Sequence, residues 1–188
     1  MKIIEGRWDR GFALDKHTLS SVYIGDDDNG HPQFDTTRTD IGEALFQLKY
    51  RDGWKQLPDL ADAMAHQIRS VLGRIDLIVP MPASALRSRQ PVTELAREVS
   101  QRIGVRMDAG VIQKSATPQL KNLNDRQAKD AVLTDAFSIQ DDSLGDGHFD
   151  VLLIDDLIHT GASLDAACDA LRTSHKIRMV YVAVLTWR

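Results

Sequence analysis

The stretch that most constrains this chain is Val151-Leu152-Leu153-Ile154-Asp155-Asp156-Leu157-Ile158-His159-Thr160-Gly161-Ala162-Ser163. Four consecutive apolar residues suit a strand buried on both faces, the kind found in parallel sheets covered by helices. Two carboxylates end that run. Small residues then open a helix whose apolar face carries Leu164, Ala167, Cys168 and Leu171. A helix start presents unpaired backbone N–H groups and a positive dipole end, which suits a phosphate. Gly161 lets the backbone approach closely, and Thr160 and Ser163 add hydroxyl donors. Asp155 and Asp156 repel a phosphate, but they suit the hydroxyls of a vicinal diol, as on a ribose, and can steady a cation. A ribose 5-phosphate therefore fits the segment, with hydroxyls on the acids and phosphate on the loop.

Other readings meet these residues less well. A Walker B strand requires a GxxxxGK[ST] loop, and the chain has no Gly-Lys dipeptide. A phosphoacceptor receiver domain leaves the Thr-Gly-Ala-Ser helix entry unexplained. A plain strand-to-helix turn capped by Thr160 is the bland alternative. The length of the pattern, with every part usable, speaks for a ligand site.

From about residue 75 onward, apolar strand-like runs at 77–79, 105–112, 137–139, 151–154 and 179–185 alternate with amphipathic helices. One helix carries Val92, Leu95, Ala96, Val99 and Ile103 and stops at Gly104. This order predicts an α/β fold, a parallel sheet flanked by helices that binds ligands beyond the C-terminal strand ends. Residues 113–131 are polar and read as a long loop. The N-terminal third predicts a β-hairpin from 21–24 and 33–37, turning at Asn29-Gly30. Asp26, Asp27 and Asp28 do not make an EF-hand, because no Glu closes the loop and Gly30 is misplaced for one. Two helices follow. Thr39 or Asp40 caps the first, which carries Ile41, Leu45 and Leu48; the second, at Pro58, carries Leu57, Leu60, Ala61, Met64, Ile68 and Leu72. No linker is evident. Residues 1–74 therefore read as an elaboration and hood candidate packed on a core of residues 75–188.

No apolar run nears the roughly 18 residues of a membrane span. MKIIEGRWDR has no apolar h-region, so no signal peptide is expected and the chain reads as cytoplasmic. The single cysteine, Cys168, excludes an intrachain disulfide and a cysteine-cluster zinc site; on an apolar helix face it reads as a buried small residue. His17, His31, His66, His148 and His175 have no metal-ligand spacing and are expected at the surface. The net charge of −4 speaks against a general nucleic-acid binder, and Trp8, Trp54 and Trp187 form no stacking series. The charge is uneven, however. Residues 81–134 carry nine basic and five acidic side chains, whereas 135–188 carry four and nine.

The segment around Asp155 and Asp156 resembles the phosphoribosyl pyrophosphate (PRPP) signature of type I phosphoribosyltransferases. Within that superfamily, residues 40–188 resemble the ComF (competence protein F, amidophosphoribosyltransferase-like) family. Phe46-Gln47-Leu48-Lys49-Tyr50-Arg51 is similar to its Leu-Lys-Tyr-Arg helix end. Val79-Pro80-Met81-Pro82 with Arg87 and Arg89 is similar to its Val-Pro-x-Pro loop, and Thr117-Pro118-Gln119 to its Thr-Pro-x-Gln loop. The chain departs from the family in three ways. It has no Cys-x-x-Cys module, so no zinc carries over. His159 stands where Thr is frequent. Arg126 is off the usual spacing before Ala136-Phe137, with Lys129 near its place.

The resemblance implies the following. Asp155 and Asp156 are the catalytic acids, binding the ribose hydroxyls. His159, Thr160, Gly161, Ala162 and Ser163 hold the 5-phosphate. Met81, Pro82, Ala83, Ser84, Arg87 and Lys114 bind pyrophosphate, with Arg89 a weaker candidate. Gln119, Arg126 and Lys129 belong to a closing lid that excludes water. Mg²⁺ is held through PRPP near Asp155 and Asp156 rather than by direct protein ligands. The expected partners are PRPP and a small-molecule acceptor, without membrane or strong nucleic-acid binding, in an assembly that is commonly a homodimer. The activity implied is transfer of ribose 5-phosphate to a nitrogen acceptor. The alternative is a non-catalytic PRPP- or nucleotide-binding protein acting in DNA uptake or utilisation.

Overall fold

The structure, a computed structural model, describes residues 1–85, 87–114 and 136–188. In chain order its elements are β1 (Lys2–Ile4), β2 (Arg10–Lys16), β3 (Thr18–Asp26), β4 (Pro32–Arg38), α1 (Asp40–Tyr50), α2 (Leu57–Val71), β5 (Leu77–Pro80), α3 (Pro91–Ile103), β6 (Ile112–Lys114), β7 (Phe137–Ile139), β8 (Phe149–Ile158), α4 (Ala162–Arg172) and β9 (Ile177–Trp187).

The main sheet has the order β1-β2-β9-β8-β5, parallel except for β1. Side chains alternate across it. Leu77, Val79, Val151, Leu153, Val180, Val182 and Val184 pack in one core with α4, β6 and β7. Ile78, Leu152, Ile154, Tyr181, Ala183 and Leu185 pack in the other with α1, α2 and α3. Both faces are covered, which is why β8 reads as an unbroken apolar run. The parallel strands end together, bringing the segments that follow β5 and β8 to one edge.

The helix punctuation matches the chemistry of the residues. Thr39 caps α1, its hydroxyl accepting the Gly42 N–H at 3.0 Å. Pro58 lies in the first turn of α2 and Pro91 in that of α3, which stops at Gly104. The hairpin β3–β4 forms as expected and is exposed along most of its length, leaving Leu19, Val22, Tyr23, Ile24 and Phe34 in solvent. At its tip Asp27 accepts the N–H groups of Asn29 and His31, each at 2.9 Å. These bonds hold its carboxyl below the usual range and shape the turn.

Three expectations are corrected. First, β1 and β2 belong to the main sheet, so residues 1–16 share the core instead of lying beside it. Only Phe12-Ala13-Leu14 is apolar in β2, too short a run to stand out; pairing with β9 makes it a strand. Second, residues 105–112 are not a core strand. Met107 alone bridges Ile78, while β6 pairs antiparallel with β7 in a separate two-stranded sheet. Third, His17 is buried, 6% exposed, instead of lying at the surface. Its main-chain N–H donates to the Trp187 carbonyl at 2.8 Å, which draws it between β9 and the start of α1. Among the described residues no helix is long and apolar enough to cross a membrane.

Candidate functional site

β8 carries its pleat through both acids, so consecutive carboxylates leave it toward opposite layers. Asp156 meets α1: the Lys49 ammonium lies 2.8 Å from its carboxylate, with side-chain exposures of 23% and 12%. Asp155 accepts the Asp156 backbone N–H at 2.8 Å. Burial and the neighbouring Asp156 charge push the Asp155 carboxyl up to about 7, against the pull of that N–H, Lys49 and Lys114. A carboxyl perturbed by burial and a like charge, sitting in a cavity, is a candidate functional group.

Behind Asp156 runs a buried relay. His17 Nδ1 and Thr186 Oγ1 are 3.1 Å apart, and Thr186 donates to the Asp156 carbonyl at 3.2 Å. With the Thr186 proton committed there, His17 is the donor in the first contact. Burial, then the positive charges of Arg188, Arg38 and Lys49, hold the His17 pKa down. The neutral ring therefore braces the strand end.

The helix entry has the features expected of an anion site. The Ala162 N–H reaches the Thr160 hydroxyl at 3.4 Å, and Gly161, at φ 83°, precedes α4 and offers no capping side chain. A Cβ there would make only ordinary contacts, with Ile158 and Trp8; the backbone conformation, not space, requires glycine. Thr160 and Ser163 are exposed at the mouth. Opposite them, Met81 continues the β5 ladder by donating to the Ile154 carbonyl at 2.8 Å, which aims Pro82, Ala83 and Ser84 at the strand ends. The Lys114 ammonium reaches the Ser84 hydroxyl at 3.2 Å. Arg87 donates to the Lys49 carbonyl at 2.7 Å and stands 5.7 Å from the Tyr50 ring.

All these groups line one cavity of about 370 Å³: Asp155, Asp156, the loop from His159 to Ser163, Met81, Pro82, Ala83, Ser84, Arg87 and Lys114. Arg89 does not join them. It stacks on Trp54 at 3.9 Å and lies 3.8 Å from Glu94. Gln119, Arg126 and Lys129 lie outside the described residues. The sequence reading missed Lys49 as a site residue; its one signal was a cation following the last apolar position of α1. It also missed Gln90, Pro91, Val92 and Thr93, which bring the start of α3 to the same cavity. Among the described residues no three His, Cys, Asp or Glu side chains could hold a metal alone. Asp155 and Asp156 could contribute oxygens to a cation that draws its other ligands from a bound molecule.

The chain matches no known protein family and no curated protein. Among solved structures it is similar to adenine phosphoribosyltransferase from Trypanosoma brucei, in complex with AMP, pyrophosphate and ribose-5-phosphate. That similarity has 14% identity and a TM-score of 0.53, over 100% of this chain and 75% of that one. It is also similar to glutamine PRPP amidotransferase from B. subtilis, complexed with ADP and GMP, at 14% identity and a TM-score of 0.52. That match covers 84% of this chain but 34% of the amidotransferase, about a third of its length. The likeness is one of fold: a parallel sheet flanked by helices.

Proposed function

We propose that this protein binds PRPP and transfers its ribose 5-phosphate to a nitrogen acceptor, releasing pyrophosphate. The observation that carries the reading is one cavity in which an acid pair, the N-terminus of α4 with its Thr160 and Ser163 hydroxyls, and a cationic wall meet. The acids suit the ribose hydroxyls, and the loop from His159 to Ser163, with its main-chain N–H groups and the Thr160 and Ser163 hydroxyls, suits the 5-phosphate. Met81, Pro82, Ala83 and Ser84, with Arg87 and Lys114 beside them, suit the pyrophosphate. The two structural neighbours, one holding AMP, pyrophosphate and ribose-5-phosphate and the other named for PRPP, support the same assignment.

In this reaction the acceptor nitrogen attacks C1 of the ribose, the bond from C1 to the pyrophosphate oxygen breaks, and the nitrogen then loses a proton. Positive charge develops at C1, where Asp155 and Asp156 favour it electrostatically. Positioning by the two phosphate subsites replaces any covalent protein nucleophile. Mg²⁺, when bound with the diphosphate, supplies charge neutralisation on the leaving oxygens. Gln119, Arg126 and Lys129 belong to the lid in this proposal. We expect a cytoplasmic protein; a homodimer is the assembly common in the superfamily it resembles.

A second reading keeps PRPP or nucleotide binding without turnover, in DNA uptake or utilisation, as the ComF resemblance suggests. The displaced Arg126 favours it. PRPP-dependent pyrophosphate release with a panel of bases and amines separates the two: release supports the transferase, while tight PRPP binding without release supports the second. Calorimetry with single-stranded DNA adds a readout for the latter. Replacing Asp155→Asn with Asp156→Asn should abolish PRPP binding; unchanged affinity sinks both readings.

A further inference from the structure

Lys49 lies in the last turn of α1 and is held at both ends. Its carbonyl accepts from Arg87 at 2.7 Å, which ties its main chain to the segment after β5. Its ammonium sits on Asp156 at the end of β8, 2.8 Å away. α1 stops abruptly there. The N–H groups of Arg51 and Gly53 both reach the Gln47 carbonyl at 2.9 Å, Asp52 takes φ 53°, and a Cβ on Gly53 would lie 2.8 Å from Gln47. One tight turn thus spans the two halves of the cavity, with its cation on the acid half.

An ion pair inside a ligand cavity competes with the ligand. Carboxylate lone pairs occupied by an ammonium are poorer acceptors for hydroxyls, and an ammonium on a carboxylate is withdrawn from other anions. Removing such a pair from water carries a desolvation penalty. Both partners therefore gain when one molecule offers hydroxyls to the acid and anionic oxygens to the amine. Lys49 and the residues Met81, Pro82, Ala83 and Ser84 line the same cavity, so such a molecule can meet both.

We propose that Lys49 is an anion-gated binding residue: it occupies Asp156 in the free pocket and passes to the diphosphate of an incoming sugar, releasing Asp156 to the ribose hydroxyls. This rests on the PRPP reading given above and adds a rule of selection to it. A sugar phosphate that carries the diol but no diphosphate leaves the Lys49–Asp156 pair closed. The pocket then discriminates PRPP from ribose 5-phosphate by more than the contacts of the extra phosphates.

The test is calorimetry with Mg²⁺–PRPP, ribose 5-phosphate and pyrophosphate on the wild type and on Lys49→Met, Lys49→Gln, Lys49→Arg, Asp156→Asn and the Lys49→Met/Asp156→Asn pair. Losing a charge-assisted contact should weaken PRPP about tenfold to a hundredfold in both neutral variants, while ribose 5-phosphate holds or tightens. Lys49→Arg should keep most of the selectivity. Asp156→Asn should tighten pyrophosphate by freeing Lys49, and that gain should vanish when Lys49 is Met, because a double-mutant cycle isolates the coupling. Two results overturn the proposal: PRPP and ribose 5-phosphate weakened alike by both neutral variants, as for a purely structural pair, or an Asp156→Asn gain that persists without Lys49. If the wild type binds none of the three ligands, the PRPP reading itself fails and this inference fails with it.

Discussion

At the scale of single residues, Asp155 is where stability and function pull apart. Its carboxyl is raised to about 7 in the folded protein by burial and by Asp156, against an ordinary value of 3.8. Between those two pH values the folded state keeps a proton that the unfolded chain has lost. The unfolded chain therefore binds fewer protons, so stability falls as pH rises through the window, and the full penalty is present above it. Asp155→Asn mimics the protonated form and should remove the penalty. The expected result is an unfolding midpoint several degrees higher than wild type at pH 8, shrinking to a small difference at pH 4. Thermal scans across that range check it; a gain independent of pH would mean that Asp155 is not the group titrating. His17 works in the opposite sense. Its lowered pKa means that the folded state resists a proton which the unfolded chain accepts, so its contribution weakens as pH falls through the ordinary histidine range.

At the scale of elements, α1 is the piece whose placement decides the site. Thr39 both caps the helix and donates its hydroxyl to the Lys16 carbonyl at 2.6 Å. Gly42 then lets the first turn close onto the His17 carbonyl, where a Cβ would fall inside the van der Waals shell of the oxygen. The obstacle is backbone, which cannot swing aside as a side-chain tip can. In an exposed helix, Gly→Ala stabilises by about 1 kcal/mol through propensity. Here Gly42→Ala should do the reverse, costing about 1–3 kcal/mol by overpacking, a loss read from urea unfolding. Because Lys49 rides on the same helix two turns later, PRPP affinity should drop with it.

At the scale of the whole molecule, chain order and spatial order disagree, and the disagreement sets what can be removed. β2 comes second in the chain yet sits between β1 and β9 in the sheet, its Phe12 and Ala13 fully buried. Deleting residues 1–16 exposes the edge of β9 and opens both cores, so that truncation should lose cooperative unfolding altogether. Shortening the exposed hairpin by replacing residues 25–31 with Asn-Gly should leave the midpoint within about 1–2 °C of wild type, since surface changes away from the core cost little. Circular dichroism on both variants checks the contrast. Much of this architecture could be read in advance where the signal is local. The unbroken run from Val151 to Ile154 demands a strand covered on both faces, and the small residues after it demand a helix start. Leu60, Met64 and Ile68 fall at helical spacing because one face of α2 is buried. The loop from His159 to Ser163 and the two acids are contiguous, so their joint chemistry is written in a single segment. What tertiary structure alone decided is non-local. β2 is a strand because β9 pairs with it, β6 and β7 leave the main sheet because they pair with each other, and His17 is buried because α1 closes over it. Lys49 meets Asp156 across more than a hundred residues of chain because the pleat of β8 turns that acid toward the α1 layer. Periodicity and capping act over a few residues and are visible in sequence; strand pairing and the meeting of two side chains depend on how layers stack, which no local pattern encodes.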